Sequence, residues 1–225
     1  MAATHRQSFD DIGVSSTTVA VTLASDVLAG SVIAVAIHAV ETGLTISSVV
    51  DTLSNTYTYA GDNPTSGSDN GQMWGYYAKN VSAGTCTITA TFSGTASLAR
   101  LYASEAIGCD TTAPLDQHDG NFQSNAGTGT DGVTSQSAGQ KTTTTDGQFI
   151  FGCTNGVNVV GFTAGTSFTE RRDNTVGACE SLDQSTQGNI AATFTCDASF
   201  DNNATILMTF KAAGGGATLW AQSVM

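Results

Sequence analysis

Along much of this chain apolar and polar residues alternate one by one, the period of strands with one face in a core and one in water. Thr17-Thr-Val-Ala-Val-Thr-Leu23 sets Val19, Val21 and Leu23 against Thr18, Ala20 and Thr22, and Thr85-Cys-Thr-Ile-Thr-Ala-Thr-Phe92 sets Cys86, Ile88, Ala90 and Phe92 against a stripe of threonines. The longest apolar run, Val32 to Ala36 continuing through His38 to Val40, is about half the roughly 20 residues that a membrane helix requires, so it reads as a central strand. Turn chemistry punctuates the runs at Gly43, Gly61-Asp-Asn-Pro64, Ser66 to Gly71, Gly84, Gly94, Gly156 and Asp201-Asn-Asn203. Helical periodicity is nearly absent, and both prolines, Pro64 and Pro114, fall between runs.

The order of the runs repeats. Gly30-Ser-Val-Ile-Ala-Val-Ala-Ile, Asn55-Thr-Tyr-Thr-Tyr, Met73-Trp-Gly-Tyr-Tyr, Thr87 to Phe92 and Ala99-Arg-Leu-Tyr-Ala-Ser-Glu are answered by Gly147-Gln-Phe-Ile-Phe-Gly, Thr166-Ser-Phe-Thr-Glu, Ala178-Cys-Glu-Ser-Leu, Asn189 to Phe194 and Thr205-Ile-Leu-Met-Thr-Phe. The matches are short, and common strand chemistry alone could write them. A true duplication would leave two five-strand halves, 30–108 and 146–211, that cannot bury their apolar faces alone and must close on each other as one sandwich. The expected fold is all-β, an antiparallel β-sandwich of jelly-roll type with about ten core strands over 17–212. A polar arm, 1–16, precedes it, a tail, 213–225, follows it, and a long Gly-, Ser- and Thr-rich loop, 109–145, joins the halves; connections of that length are usually functional or mobile.

Composition narrows the partners. Only 12% of residues are charged, where about 25% is usual for a soluble domain, and 19 acidic against 7 basic residues give a net charge of -12. Phosphate backbones would be repelled, which sets nucleic acid aside, and no run calls for a membrane. The first residues lack a basic stretch followed by an apolar run, so the expectation is synthesis in the cytoplasm without a secretory signal.

Five cysteines suggest disulfides or a metal at first sight. The phase instead puts Cys86, Cys153 and Cys196 where small core hydrophobes sit, and zinc would want closer pairs than these spacings offer. Buried free thiols are the expected state; should one disulfide form, Cys153 with Cys196 is the expected pair, and the odd count leaves at least one thiol free unless chains cross-link.

Several stretches resemble a β-sandwich module that recurs in bacterial surface proteins and in minor structural and decoration proteins of tailed phages: Asp51-Thr-Leu-Ser-Asn-Thr-Tyr-Thr, Tyr76-Tyr-Ala-Lys-Asn-Val-Ser-Ala-Gly, Thr87-Ile-Thr-Ala-Thr-Phe-Ser-Gly and Glu105-Ala-Ile-Gly-Cys-Asp-Thr-Thr-Ala-Pro-Leu-Asp116. The resemblance covers roughly 30–116 with a weaker echo to Phe210, and it departs from the module's pattern at Ala106 and Cys109. It implies architecture and an extracellular or virion setting, and it brings no catalytic residue.

Candidate chemistry is thin. His5, His38 and His118 fall in the arm, an apolar strand and the long loop, with no G-x-S-x-G turn to supply a nucleophile. Glu41, Glu105, Glu170 and Glu180 could supply a glycosidase pair, but read as solvated strand and loop residues. No cofactor is expected; calcium is the best candidate, on the oxygen-rich turns Asp62 to Asp69 and Asp110 to Asp119, which ordinary Asx turns explain equally well. Trp74 and Tyr76 share a strand face and could stack a sugar ring. The tail joins a Gly214-Gly-Gly216 hinge to an apolar tag whose Leu219, Trp220, Val224 and Met225 need cover. The expected role is therefore not enzymatic. It is an outer capsid decoration or cement subunit on the virion exterior, meeting the major capsid protein and copies of itself through Phe9 and Ile12 of the arm and through the tail. The alternative is a glycan- or receptor-binding module of a fibre or tail component, using Trp74, Tyr76 and the long loop.

Overall fold

The computed structural model describes residues 1–41, 43–65, 71–123, 135–155, 161–174, 177–196 and 203–214. The first half carries β1 (Thr4–Thr22), β2 (Val32–Ala39), β3 (Ile46–Asp51), β4 (Tyr57–Tyr59), β5 (Gln72–Ala78) and β6 (Thr87–Ile107). The second carries β7 (Leu115–Gln123), β8 (Ser135–Ser137), β9 (Lys141–Thr142), β10 (Gln148–Asn155), β11 (Phe162–Ala164), β12 (Thr169–Asn174), β13 (Gly177–Gln184), β14 (Asn189–Ile190), β15 (Thr193–Cys196) and β16 (Asn203–Phe210). The described residues contain no helix, and every strand pairing is antiparallel.

Two large sheets have the same strand order, β4-β5-β2-β6-β1 and β12-β13-β10-β16-β7. Their registers correspond too. Val35 lies between Tyr76 and Ala103 as Gly152 lies between Glu180 and Leu207, and the chain from Tyr76 to Ala103 is as long as that from Glu180 to Leu207. Each large sheet also has a small companion layer. In the first half it is residues 87–92 of β6, flanked by residues 18–22 of β1 and by β3; in the second it is β15, flanked by β8 and β11. β1 and β6 reach both layers by turning a corner together: between Ser16 and Thr18 the partner on β6 jumps from Ala96 to Thr91. In the second half β7 and β16 lie in the large sheet, and β8 and β15 lie in the small layer.

The layers run small, large, large, small, with a core in each gap. Val19, Ile33, Val35, Ile37, Trp74, Ile88, Phe92 and Leu101 fill the first gap. Val32, Ala34, Ala36, Met73 and Tyr102 meet Phe149, Phe151, Ile206, Met208 and Phe210 in the middle. Ile150, Phe162, Ala178, Phe194 and Leu207 fill the third. Alternate residues of β2 and β10 therefore point into two different cores, which is why both strands are buried along their whole length and why the sequence of β2 is almost continuously apolar. Across the middle gap β2 faces β10, β5 faces β16 and β1 faces β12 and β13, so the halves are related by an approximate two-fold axis. Gly152 allows the third gap to close, since a Cβ there would lie 2.5 Å from the Cβ of Ala192.

Three expectations change. Residues 4–16 do not project as an arm; they pair with β6 from Thr4 onward and form the edge of the first large sheet. The stretch expected to be a connecting loop, 109–145, contains β7, the edge strand of the second large sheet. Its polar sequence hid it because only Leu115 and Phe122 turn toward the middle core. Cys153 is bonded to Cys179 rather than to Cys196. The two stand directly opposite on β10 and β13, with Cα atoms 4.2 Å apart, whereas β15 and its Cys196 belong to the small layer. Cys86 and Cys109 are buried free thiols.

Candidate functional site

The turns that carry the module resemblance are built by carboxylates. Asp51 closes the corner after β3: its carboxylate accepts from the N–H of Leu53 and of Asn55 at 3.0 Å, from Asn55 Nδ2 at 2.8 Å and from the Tyr57 hydroxyl at 3.0 Å. Asn55 Oδ1 in turn accepts from the Ser82 N–H at 2.8 Å. Burial, followed by the Asp51 charge, pushes Tyr57 far above the usual phenol range. Asp110 caps the next corner by accepting from Thr112 and Ala113, and those two N–H groups hold its exposed carboxyl below the usual range. Asp116 accepts from Thr144 and from Gln148. The conspicuous Asp, Asn and Tyr residues of these motifs are thus bound to the backbone they shape.

Arg6, Arg100 and Arg172 are each engaged by a carboxylate. Glu105 is buried and accepts from Arg6, from Gln7 Nε2 at 2.6 Å, from the Leu28 N–H at 2.8 Å and from Ser31 Oγ at 3.0 Å. Asp10 lies between Arg100 at 3.4 Å and Arg172 at 3.6 Å and accepts from Asn174 Nδ2. Arg172 also donates to the Ser8 carbonyl and lies 4.4 Å from the centre of the Phe9 ring. Between the halves His118 Nδ1 is 2.5 Å from Asp62 Oδ2, and within the second half Lys141 pairs with Asp119 at 3.0 Å.

The histidines do not converge. His38 is fully buried on β2; burial, with the Arg100 charge added, lowers it to about 3, so the ring is neutral. Burial and then Arg171 lower His5 to about 4. His118 is on β7 against Asp62. Of the four glutamates, Glu41 accepts from the Ser97 N–H and Glu105 from the four donors named above, but Glu170 and Glu180 are cross-strand partners on β12 and β13. Sequence alone could not pair them, because their meeting depends on a bulge between Glu170 and Arg172. Burial raises Glu180 to about 8 against the lowering effect of two backbone donors, and burial followed by the Asp173 charge raises Glu170.

Trp74 is 4% exposed, lies inside the first sandwich and tilts against Phe92 with ring centres 6.2 Å apart, so it offers no face to a sugar. Tyr76 is half-buried on the same side of β5, and its ring centre is 5.2 Å from that of Tyr59, an exposed residue of β4. Phe9 is half-buried beneath Arg172, and Ile12 is exposed beside Val14 on β1. Leu219, Trp220, Val224 and Met225 lie outside the described residues, as does the second half of the turn from Asp62 to Asp69. Among the described residues no three His, Cys, Asp or Glu side chains gather as a metal site. No protein-family model matches the chain, and no curated protein matches it significantly.

Proposed function

We propose that the chain is a structural subunit of a phage-like particle, an outer capsid decoration or cement protein that works through its contacts with neighbours. The observation that carries this reading is β1, a 19-residue edge strand whose outer side shows Ile12 and Val14 to solvent, Val14 at 64% exposure. A long edge with apolar side chains invites another chain to add a strand. Several other features agree with it. The conspicuous polar motifs are occupied in shaping turns, the surface is anionic and poor in Lys and Arg, and the chain passes between large and small layers as jelly-roll modules do. The sequence adds an apolar tail, with Leu219 and Trp220 beyond a triple glycine, as a second contact. The partners are the major capsid protein and copies of the chain. Incorporation into particles tests the reading: loss of residues 219–225, or Val14→Lys, is expected to leave a folded monomer that no longer joins the particle, and normal incorporation of both would overturn it.

A second reading rests on one observation. Exposed Tyr59, half-buried Tyr76 and the nearby Asp62 and His118 combine an aromatic surface with hydrogen-bonding groups, the composition of a sugar-binding patch. A glycan array that gives hits lost in Tyr59→Ala would favour a receptor-binding module.

A further inference from the structure

β1 is an edge strand, yet the second half already takes up much of its outward side. The Ala3 N–H donates to the Gly147 carbonyl at 2.8 Å, the His5 N–H donates to Asp183 Oδ1 at 2.9 Å, and the Ser8 carbonyl accepts from Arg172 at 2.6 and 3.0 Å. Backbone groups of alternate strand residues turn to the same side, so Ile12 and Val14 share the outward side of Ser8. Among the described residues no group of the second half reaches the backbone of either. The open edge is therefore short, running from Asp11 to the corner at Ser16.

One side chain covers it. Asp11 Oδ1 accepts from the N–H of its own neighbour, Ile12, at 2.8 Å. Asp11 is exposed and has no ion pair among the described residues, whereas Asp10 beside it is held by Arg100, Arg172 and Asn174. Side chains alternate along the strand, so exposed Ile12 and Val14 share one face and Asp11 lies on the other. A strand added here must take the Ile12 N–H from Asp11 and then lie beside the released carboxylate. A cation on that strand stabilises the pairing, and a second anion opposes it.

A second copy of the chain does not fit this edge. Its net charge is -12, the two arginines nearest the edge are held by Asp10, and pairing two stretches this short brings two Asp11 carboxylates together. We propose that Asp11 selects the partner: an extended segment of a different protein, with apolar residues beside Ile12 and Val14 and a Lys or Arg on the alternate face beside Asp11. The free chain is kept from pairing with itself here, and contacts between copies fall to other surfaces. This inference rests on the reading of β1 as the docking edge and adds the chemistry of what docks.

Amide NMR of the isotope-labelled wild-type chain tests it, with unlabelled Asp11→Lys chain as the probe. The exposed substitution keeps the edge and supplies the cation, which a long side chain brings within diagonal reach of Asp11 across the paired strands. Shifts are expected at the Ile12 and Val14 amides, with an affinity roughly tenfold above that for unlabelled wild type, and weaker as salt is added. Exchange of the Val14 amide should slow in the complex. An absence of shifts at Ile12 and Val14, equal affinity for the two partners, or an unchanged Val14 exchange rate would overturn the proposal. Equal affinities, with Val14→Lys still failing to join particles, would leave the docking edge standing and remove only the role of Asp11.

Discussion

Phe151 lies in the middle core, fully buried on β10, with Met208 and Ser181 as its cross-strand partners. Truncation to alanine removes a ring from the packed face between the sandwiches, and such changes cost about 3–5 kcal/mol. The chain supplies its own distant reporter. Trp74 belongs to the first core, which Phe151 does not enter, and in a Trp220→Phe background its fluorescence follows the first sandwich alone. If the middle core makes the two sandwiches one cooperative unit, damage in the second half must move unfolding in the first. With a urea dependence of about 2–3 kcal/mol/M for a chain of this size, the Trp74 transition in Phe151→Ala is expected about 1–2 M lower than in the parent. Far-UV circular dichroism should trace the same single curve. A Trp74 transition left where it was, beside a separate and earlier loss of strand signal, would refute the four-layer unit and leave two independent sandwiches.

Other consequences follow from single contacts. Reducing the Cys153–Cys179 bond, whose partners are 26 residues apart, is expected to lower stability by about 3 kcal/mol, measurable as a shift in urea midpoint on titrating a thiol reductant. Asp51→Ala leaves two backbone N–H groups and the Tyr57 hydroxyl without their acceptor and is expected to cost about 2–3 kcal/mol; Asp51→Asn, which keeps an acceptor oxygen, should cost less. His38 titrates near 3 when folded and near 6.5 when unfolded, so its contribution is complete above the unfolded value and is lost as pH falls from about 6.5 toward 3, by up to about 1.4 kcal/mol per unit. His38→Asn should shallow that acid limb, the remainder belonging partly to His5, and an unchanged slope in denaturation curves taken between pH 4 and 6 would contradict the buried neutral ring.

The strands most legible in the sequence are those whose burial is simplest. The threonine stripe of 85–92 announces its inner face, and the unbroken apolar run of β2 announces a strand covered on both sides. The repeated order of runs is matched by the strand order of the two large sheets, although the sequence did not show that each half already closes a core of its own. That needed β7, which is an edge strand and therefore free to be polar, and it needed the corner at Ser16 and Thr18 that folds β1 across two layers. Register hid the remainder. Cys153 meets Cys179, and Glu170 meets Glu180, only after two strands have been aligned to the residue, and a bulge shifts one of those alignments. Alternation put Trp74 and Tyr76 on one face but did not say that this face is the inside of the first sandwich.

If this double sandwich attaches to a particle's exterior, as proposed, electron cryomicroscopy of particles assembled with and without the chain should reveal it. Ordered copies are expected on the outer surface, with density for a neighbouring chain along the free edge of β1 at Ile12 and Val14, absent when the chain is left out. Particles that carry no such density, together with a chain that remains a solitary monomer in their presence, would contradict it.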